Sequence, residues 1–158
     1  MNKDTLIFEY CQWENEQHIE AFLDLLNHYM SDPMGDYPQH DANKQSQLVG
    51  DMQQHPTAEV LLMREGDDYV GMATTFVNYS TFQLKPYLYI HDVVVRNNYR
   101  GRGYGKRLIE ELIEESKHRG YCKLTLEVRG DNPAAQQVYH SMGFHDSEPP
   151  MLFWTCKL

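Results

Sequence analysis

A glycine-rich segment joins an apolar strand to a helix in the second half of the chain. From Val93 the sequence reads VVVRNNYRGRGYGKRLIEEL, with glycines at positions 101, 103 and 105. Glycine lets the backbone adopt positive φ and turn its N–H groups inward, and a helix N-terminus adds a partial positive charge. The segment therefore predicts a site for a phosphate or pyrophosphate, although a plain strand-to-helix turn would also use glycines.

Two other phosphate motifs fit this segment less well. A P-loop requires Ser or Thr directly after its lysine, whereas Lys106 is followed by Arg107 and Leu108. A dinucleotide fingerprint has the spacing G-x-G-x-x-G at the first β-α turn, whereas these glycines alternate and come late in the chain. The sequence therefore favours a different kind of phosphate-binding loop.

Charge is distributed unevenly along the chain. The formal net charge is −9, and the first 60 residues hold 11 acids and two bases. The segment 93–109 holds no acid and five bases, which are Arg96, Arg100, Arg102, Lys106 and Arg107. A local cationic patch in an acidic protein indicates a bound anion of limited size, whereas nucleic acid would require a broad basic face. The acids elsewhere can be a solvated surface and nothing more.

Length and composition favour one globular domain over residues 1–158. The chain has 158 residues, 41% of them hydrophobic, and no apolar run approaches the roughly 20 residues that span a bilayer. The N-terminus does not resemble a signal peptide, so we expect a cytoplasmic protein with no membrane partner. Its three widely spaced cysteines are expected to be reduced thiols, and its histidines lack ligand spacing, so we expect no catalytic metal.

Hydrophobic periodicity predicts an alternation of strands and helices. The predicted strands are Thr5–Cys11, Glu59–Arg64, Tyr69–Asn78, Tyr87–Val95, Tyr121–Val128 and at least one within Phe144–Lys157. The predicted helices are Asn15–Met30, Asp41–Gln54, Gly105–Arg119 and Asn132–Met142. A meander followed by β-α-β units implies an α/β fold with a mixed sheet whose parallel pair comes late.

Two motifs in order resemble the GCN5-related N-acetyltransferase (GNAT) superfamily. The pattern R-x-x-G-x-G is formed by Arg100, Gly103 and Gly105, and NPAAQQVYHSMGF, from Asn132 on, is similar to the second motif. The resemblance covers about residues 87–144. It implies the GNAT fold: a central mixed sheet of about six to seven strands, splayed at the fourth and fifth strands, with about four flanking helices. The runs Tyr79-Ser80-Thr81 and Tyr89-Ile90-x-Asp92-Val93 are similar to diamine- and polyamine-type members.

The resemblance implies acetyl-CoA as cofactor and assigns residues to it. The pyrophosphate would lie on the backbone amides of Arg100, Gly101, Arg102, Gly103, Tyr104, Gly105 and Lys106. The pantetheine arm would run beside Val93, Val94 and Val95, which requires splayed strands and a β-bulge near Asp92–Val95. Asn132 looks like the CoA-contacting asparagine of the family, although a simple helix N-cap would also explain it.

The resemblance also implies catalytic roles. Tyr139 is similar to the tyrosine that protonates the departing CoA thiolate, although it could instead pack its helix against the sheet. His91 stands where polyamine-type and amino-sugar-type relatives carry a glutamate, and it could act as the base directly or through water. Asp92 and Glu127 are alternative bases, and a lone histidine in a strand can be structural. Strict alternation places His91 and Asp92 on opposite sides of the strand.

Candidate acceptor residues come from the loop after the first helix and from the central strands. They are Asp32, Asp36, Tyr37, Tyr79 and Phe82, together with Asp92 and Glu127. An acidic, aromatic lining suits a cationic amine, so the resemblance implies an N-acetyltransferase acting on the primary amine of a small cationic molecule. Acetylation of a protein or peptide, and a CoA-binding regulatory module without catalysis, are the alternatives. A homodimer is expected from the habit of the family and the frequency of C2 symmetry.

Overall fold

The computed structural model describes residues 5–158, which fall into two compact units divided after Glu127. The strands of the first unit are β1 (Leu6–Tyr10), β2 (Ala58–Glu65), β3 (Asp68–Ser80), β4 (Lys85–Val95) and β5 (Leu124–Leu126). Its helices are α1 (Glu16–Met30), α2 (Ala42–Gln54) and α3 (Tyr104–His118), and the second unit holds α4 (Pro133–Ser141). The single domain expected from length stays a prediction.

The first two helices begin where the sequence places a capping side chain. Asn15 accepts hydrogen bonds from the N–H groups of Gln17 and His18, and Asp41 accepts one from Lys44. These caps satisfy helix donors that have no intrahelical acceptor. The predicted starts of α1 and α2 are therefore confirmed to within one residue.

The sheet has the strand order β1-β2-β3-β4-β5. The first three pairings are antiparallel, and β4 pairs with β5 in parallel. The mixed sheet with a late parallel pair is therefore confirmed. The described strands number five, fewer than the six to seven predicted.

The strand predicted within Phe144–Lys157 accounts for part of that difference. Over residues 144–158 the structure has no regular strand, and Met151, Leu152, Phe153 and Trp154 are exposed. Pro149 and Pro150 lack the N–H that a ladder requires, and an apolar run forms a strand only where a partner strand accepts it. The sequence pattern of residues 144–157 does not itself indicate whether such a partner strand exists.

The core of the first unit lies between the sheet and the helices α1 and α2. Val60, Leu62, Met72 and Val94 alternate with residues of the other face, and they pack in one cluster with Phe22, Leu25 and Met52. The third helix packs on β3 and β4 with Leu108, Ile109 and Leu112 fully buried. Each such side chain contributes about 1.5–3 kcal/mol by leaving water. None of the helices within residues 5–158 is long and apolar enough to cross a membrane.

The fourth and fifth strands separate soon after they pair. The register joins β4 to β5 only at Leu88, Ile90 and the residue between them, whereas β4 continues to Val95. Beyond Ile90 the edge of β4 that faces β5 has no strand partner among the described residues. The predicted splay between the fourth and fifth strands is thus confirmed, and it leaves this edge of β4 open as far as Val95.

Candidate active site

The phosphate loop, defined as Arg100–Lys106, leads into α3 with the backbone amides of residues 101–106 free, whereas the Arg100 N–H, also predicted to bind the pyrophosphate, donates to the carbonyl of Asn97 at 3.2 Å. Gly101 and Gly103 have φ of +77° and +79°, a region that side chains with a Cβ rarely adopt. Within the described chain, no protein atom accepts a hydrogen bond from the backbone N–H groups of residues 101–106. Alone among the four α-helices of residues 5–158, α3 has no side-chain cap at its N-terminus. Six consecutive donors at a helix N-terminus are suited to a diphosphate.

The arginines of this loop are held by acids from other elements. Arg100 lies 2.9 Å from Asp32 and also donates to the carbonyl of Val95 at 3.1 Å. Arg102 lies over the ring of Tyr99 at 5.0 Å. The backbone therefore offers more free donors here than the side chains do.

The side chain of Tyr104 is structural. Its hydroxyl donates to Glu65 at 2.6 Å, and the residue is only 8% exposed. The same Glu65 carboxylate lies 3.7 Å from Arg102. The assignment of Tyr104 to the cofactor can therefore hold only through its backbone N–H.

The cationic patch is weaker than the sequence suggests. Arg96 pairs with Asp24 and donates to the carbonyl of Tyr69 at 2.7 Å. Lys106 and Arg107 lie 3.8 and 3.9 Å from Glu110. Acids distant in sequence or one turn further along α3 thus offset part of the charge counted along residues 93–109.

The valines proposed for the pantetheine arm lie where β4 has one unpaired edge. Val94 is buried in the core opposite Met72, and Val93 and Val95 are half-buried opposite Ala73 and Gly71. Their antiparallel pairing with β3 uses one edge of β4 and leaves the other edge without a strand partner among the described residues. A bound chain can pair with such an edge by strand-like hydrogen bonds.

A β-bulge interrupts β4 at His91. Thr74 pairs with Asp92 and Thr75 pairs with Ile90, so His91 has no partner in the register. The bulge was expected near Asp92–Val95 and lies one residue before that range. An extra residue bends the strand and redirects side chains, which is why bulges occur beside active sites.

The bulge brings His91 and Asp92 to one side of the sheet. Tyr89 pairs with Phe76 and Asp92 pairs with Thr74, and residues paired across strands share a face. The His91 ring lies 5.9 Å from Phe76, on that same face. The expectation that His91 and Asp92 point to opposite sides is therefore wrong, because alternation fails where a residue is inserted.

A group of polar and aromatic side chains surrounds the bulge. We call it the bulge cluster, and it consists of Thr74, Phe76, Tyr89, His91, Asp92 and Glu127. The Tyr89 hydroxyl lies 2.6 Å from Glu127 Oε1 and 3.3 Å from His91 Nδ1. Burial and the hydrogen bond to Glu127 raise the pKa of the Tyr89 phenol, so it stays protonated at neutral pH. The structure thus brings two candidate bases, His91 and Glu127, onto one tyrosine.

Asp92 is the half-buried carboxyl of this cluster. Burial raises its pKa, and nearby His91 and Thr74 only partly oppose that effect. The carboxyl therefore holds its proton to higher pH than an exposed aspartate does. At low pH the Asp92 carboxyl is therefore neutral and does not attract a cation. When it ionises, its partly buried charge destabilises the folded state.

The raised pKa of Asp92 predicts a stability effect. The unfolded chain releases this proton near pH 4, earlier than the folded chain, so the free energy of unfolding falls as pH rises from 4 through the folded pKa. Asp92→Asn cannot ionise and should raise the melting temperature at pH 7 more than at pH 4. Each pKa unit by which the folded-state value exceeds the unfolded-state value lowers the free energy of unfolding at pH 7 by about 1.4 kcal/mol. In thermal unfolding, the exposed turn variant Asp67→Asn is the control, and a variant no more stable than wild type at pH 7 would refute the expectation.

All three of the loop residues proposed for the acceptor are occupied or exposed. Asp32 accepts the N–H of Met34, and this bond and the Arg100 guanidinium hold the pKa of its carboxyl below the usual value. It is therefore committed to positioning Arg100. Asp36 is exposed with φ of 46°, and Tyr37 is 63% exposed with its ring against His40.

The two aromatic candidates near the β3–β4 turn lie outside the bulge cluster. Tyr79 stands three residues after Phe76 on β3, so alternation puts it on the other face of the sheet. Phe82 lies in the turn and is 98% exposed. The aromatic residues that the structure places beside His91 are instead Phe76 and Tyr89.

The second unit carries the two remaining proposed residues on α4. Asn132 caps this helix by accepting the N–H of Ala135 at 3.2 Å. The Tyr139 ring contacts Phe144 at 6.0 Å between centroids. The capping role of Asn132 is therefore observed, and the catalytic role of Tyr139 stays a prediction.

Thr74, Phe76 and Tyr89 join the site without having been predicted in it. Phe76 and Thr74 belong to β3, and only the cross-strand register brings them to His91. Tyr89 has the one usable signal in the sequence, since it stands two residues from His91 on a predicted strand. His55 extends this surface, because its ring lies 5.1 Å from Phe76.

Known proteins similar to this chain include several acetyltransferases. The sequence model of the acetyltransferase (GNAT) family matches residues 12–144. Ribosomal protein bS18-alanine N-acetyltransferase of Escherichia coli strain K12 is 40% identical over 58 residues, 37% of this chain and 39% of that protein. Thialysine N-epsilon-acetyltransferase of Bos taurus is 30% identical over 82 residues, 52% of this chain and 48% of that protein. Each alignment spans less than half of the relative's length.

The fold is similar to that of a crystallised aminoglycoside acetyltransferase. That protein, from an uncultured soil metagenomic sample, was solved in complex with sisomicin. The TM-score is 0.78 at 18% sequence identity, over 96% of this chain and 97% of that one. At this identity the likeness shows a shared fold.

Proposed function

The chain belongs to the acetyltransferase (GNAT) family, and on that premise we propose that it transfers an acetyl group from acetyl-CoA to the primary amine of a small cationic molecule. Family membership confirms the predicted enzyme class and cofactor. The observation that carries the proposal for this chain is the row of free amides at residues 101–106, beside the open edge of β4.

The phosphate loop fits the diphosphate of this cofactor. No side chain caps the N-terminus of α3, so its N–H groups are available to a ligand. A Cβ added at Gly101 or Gly103 would meet no atom within 4 Å. The glycines are thus required by backbone conformation, which aims the N–H groups, rather than by crowding. When bound, acetyl-CoA supplies the acetyl group as a thioester.

Residues of the two units are assigned the other parts of a direct transfer. A backbone N–H on the open edge of β4 can stabilise negative charge that develops on the acyl oxygen. His91, exposed at the bulge, can take a proton from the amine as it attacks. We assign Tyr139 to donating a proton to the thiolate as it leaves, because a phenol with an ordinary pKa of about 10 is protonated at neutral pH.

The bulge cluster favours a small cationic acceptor. The carboxyls of Asp92 and Glu127 and the rings of Phe76 and Tyr89 lie on or beside one face, a combination that attracts an ammonium group. The relative from Bos taurus is named for thialysine, and the solved structure contains the aminoglycoside sisomicin. The relative from Escherichia coli acts on a ribosomal protein, so peptide acetylation is the second candidate.

An acceptor panel separates these candidates. Thiol release from acetyl-CoA would be measured with polyamines, amino sugars, aminoglycosides and peptides that begin with alanine or contain lysine. We expect the highest kcat/KM with a small polycation, at least about tenfold above any peptide. A preference for peptides would refute the small-amine assignment. Thermal stabilisation by CoA without turnover on any acceptor would instead indicate a regulatory module.

The homodimer, the cytoplasmic location and the absence of nucleic-acid and membrane partners stay predictions. They rest on the habit of the family and on composition. Sedimentation velocity at micromolar concentration would test the first of them, with a single monomeric species as the contrary result.

A further inference from the structure

We propose that Tyr89 is a positioning residue, which links His91 to Glu127 and fixes the imidazole tautomer that leaves Nε2 free to accept a proton. The proposal rests on the proposed function, in which His91 is the base. It depends on three atoms in a row: Glu127 Oε1, the Tyr89 hydroxyl oxygen and His91 Nδ1.

A phenol hydroxyl has one proton to donate. The distance of 2.6 Å from the Tyr89 oxygen to Glu127 Oε1 is typical of a hydroxyl donating to a carboxylate. With its proton used there, the Tyr89 oxygen can only accept at its second contact, 3.3 Å from His91 Nδ1. The proton of a neutral His91 therefore belongs on Nδ1, and Nε2 carries the lone pair.

The fold holds this row in place. Tyr89 and His91 stand two positions apart on β4, so their side chains share a face of the sheet. The Tyr89 backbone pairs with Thr125 of β5, which lies two residues before Glu127. The Phe76 ring lies against His91 at 5.9 Å between centroids. Backbone pairing on both sides thus sets the spacing of the three groups.

The row supplies charge where the reaction needs it. When Nε2 takes the proton from the ammonium or from the attacking amine, His91 becomes cationic, while Tyr89 keeps its proton in the hydrogen bond to the Glu127 carboxylate. The negative charge of Glu127, passed through the Tyr89 dipole, then stabilises the imidazolium. Regeneration returns the proton from Nε2 to solvent, so the row ends each cycle unchanged.

Other titratable groups near His91 act differently. Asp92, on the same face, interacts with His91 by charge. His55 reaches only the far side of the site, through its ring contact with Phe76, and its Nδ1 accepts the Thr57 N–H at 3.3 Å. Tyr89 is the group that the structure places at Nδ1 within residues 5–158.

Imidazole nitrogen NMR tests the tautomer without any turnover. Long-range proton–nitrogen spectra at pH 8 would show which nitrogen of His91 carries the proton in wild type and in Tyr89→Phe. We expect Nδ1–H in wild type and a shift toward Nε2–H in the variant. Nε2–H in the wild-type protein would overturn the proposal.

Kinetics test the consequence. Tyr89→Phe should lower kcat roughly 10- to 100-fold with KM for acetyl-CoA within about twofold, because part of a general-base contribution is lost. Glu127→Gln should move the acid limb of kcat/KM to lower pH, since the imidazolium loses a stabilising charge. Tyr87→Phe, which removes a phenol from the same strand, is the control and should leave both unchanged.

The outcomes separate this inference from the proposed function. A wild-type rate in Tyr89→Phe, or an unmoved acid limb in Glu127→Gln, would overturn the positioning role even if acetyl transfer is confirmed. Absence of acetyl transfer to any amine would refute the proposed function, and the NMR result would still decide the hydrogen-bond row.

Discussion

Replacing Gly103 by valine is expected to raise the Kd for CoA at least about 100-fold. Gly103 has φ of +79°, which a β-branched residue can adopt only under strain of about 1–3 kcal/mol. An added Cβ would meet no atom within 4 Å, so we expect the loss to come from a changed backbone path. That change would turn the loop amides away from the diphosphate. Isothermal titration with CoA measures the effect.

A second glycine separates strain from binding. Gly120, just after α3, has φ of +72° and the same open surroundings. Gly120→Val should cost comparable stability, because it introduces the same strain, and should bind CoA with wild-type affinity. Equal losses of affinity in both variants would contradict a specific role for the phosphate loop.

Replacing Tyr139 by phenylalanine is expected to lower kcat by about 10²- to 10⁴-fold, the usual contribution of a general acid. The ring and its contact with Phe144 are retained, so CoA affinity should stay close to wild type. Without the phenol, the thiolate must leave unprotonated or take its proton from water. Steady-state thiol release and CoA titration measure the two quantities.

The control for this experiment is a tyrosine outside the site. Tyr10, on β1, has its ring under the Arg119 guanidinium at 5.0 Å. Tyr10→Phe removes one phenol and should leave kcat unchanged. A Tyr139→Phe enzyme with kcat within about twofold of wild type would remove Tyr139 as the acid.

The elements of the first unit were predictable because local patterns and packing agree. Helix α1 carries its cap at Asn15 and its buried residues at helical spacing, and α3 combines a glycine loop with Leu108 and Leu112 one turn apart. The pattern of strands followed by a β-α-β unit was enough to predict a mixed sheet. Neither inference required knowledge of a distant contact.

The geometry of the candidate site was less predictable because it depends on register. The inserted residue at His91 has no signature in the local sequence, yet it decides which side chains share a face. The contact of Tyr89 with Glu127 joins residues 38 positions apart. Alternation alone therefore gave the wrong side for one of two adjacent residues.

Charge counted along the sequence also misses pairing in space. Arg100 and Asp32 are 68 positions apart, and each was assigned to a different ligand, the first to the cofactor and the second to the acceptor. In the structure they bind one another. The apolar segment from Met151 to Trp154 shows the same limit, since its composition suits a strand but does not provide a partner.

The amide resonances of Gly101, Gly103 and Gly105 offer the most direct test that the phosphate loop binds the diphosphate. Two titrations of labelled protein would be compared, one with CoA and one with pantetheine, which lacks the diphosphate. We predict large downfield shifts of the three glycine amides with CoA and small ones with pantetheine, as expected for hydrogen bonds to anionic oxygens. Saturable CoA binding that leaves these three resonances unmoved would contradict the account.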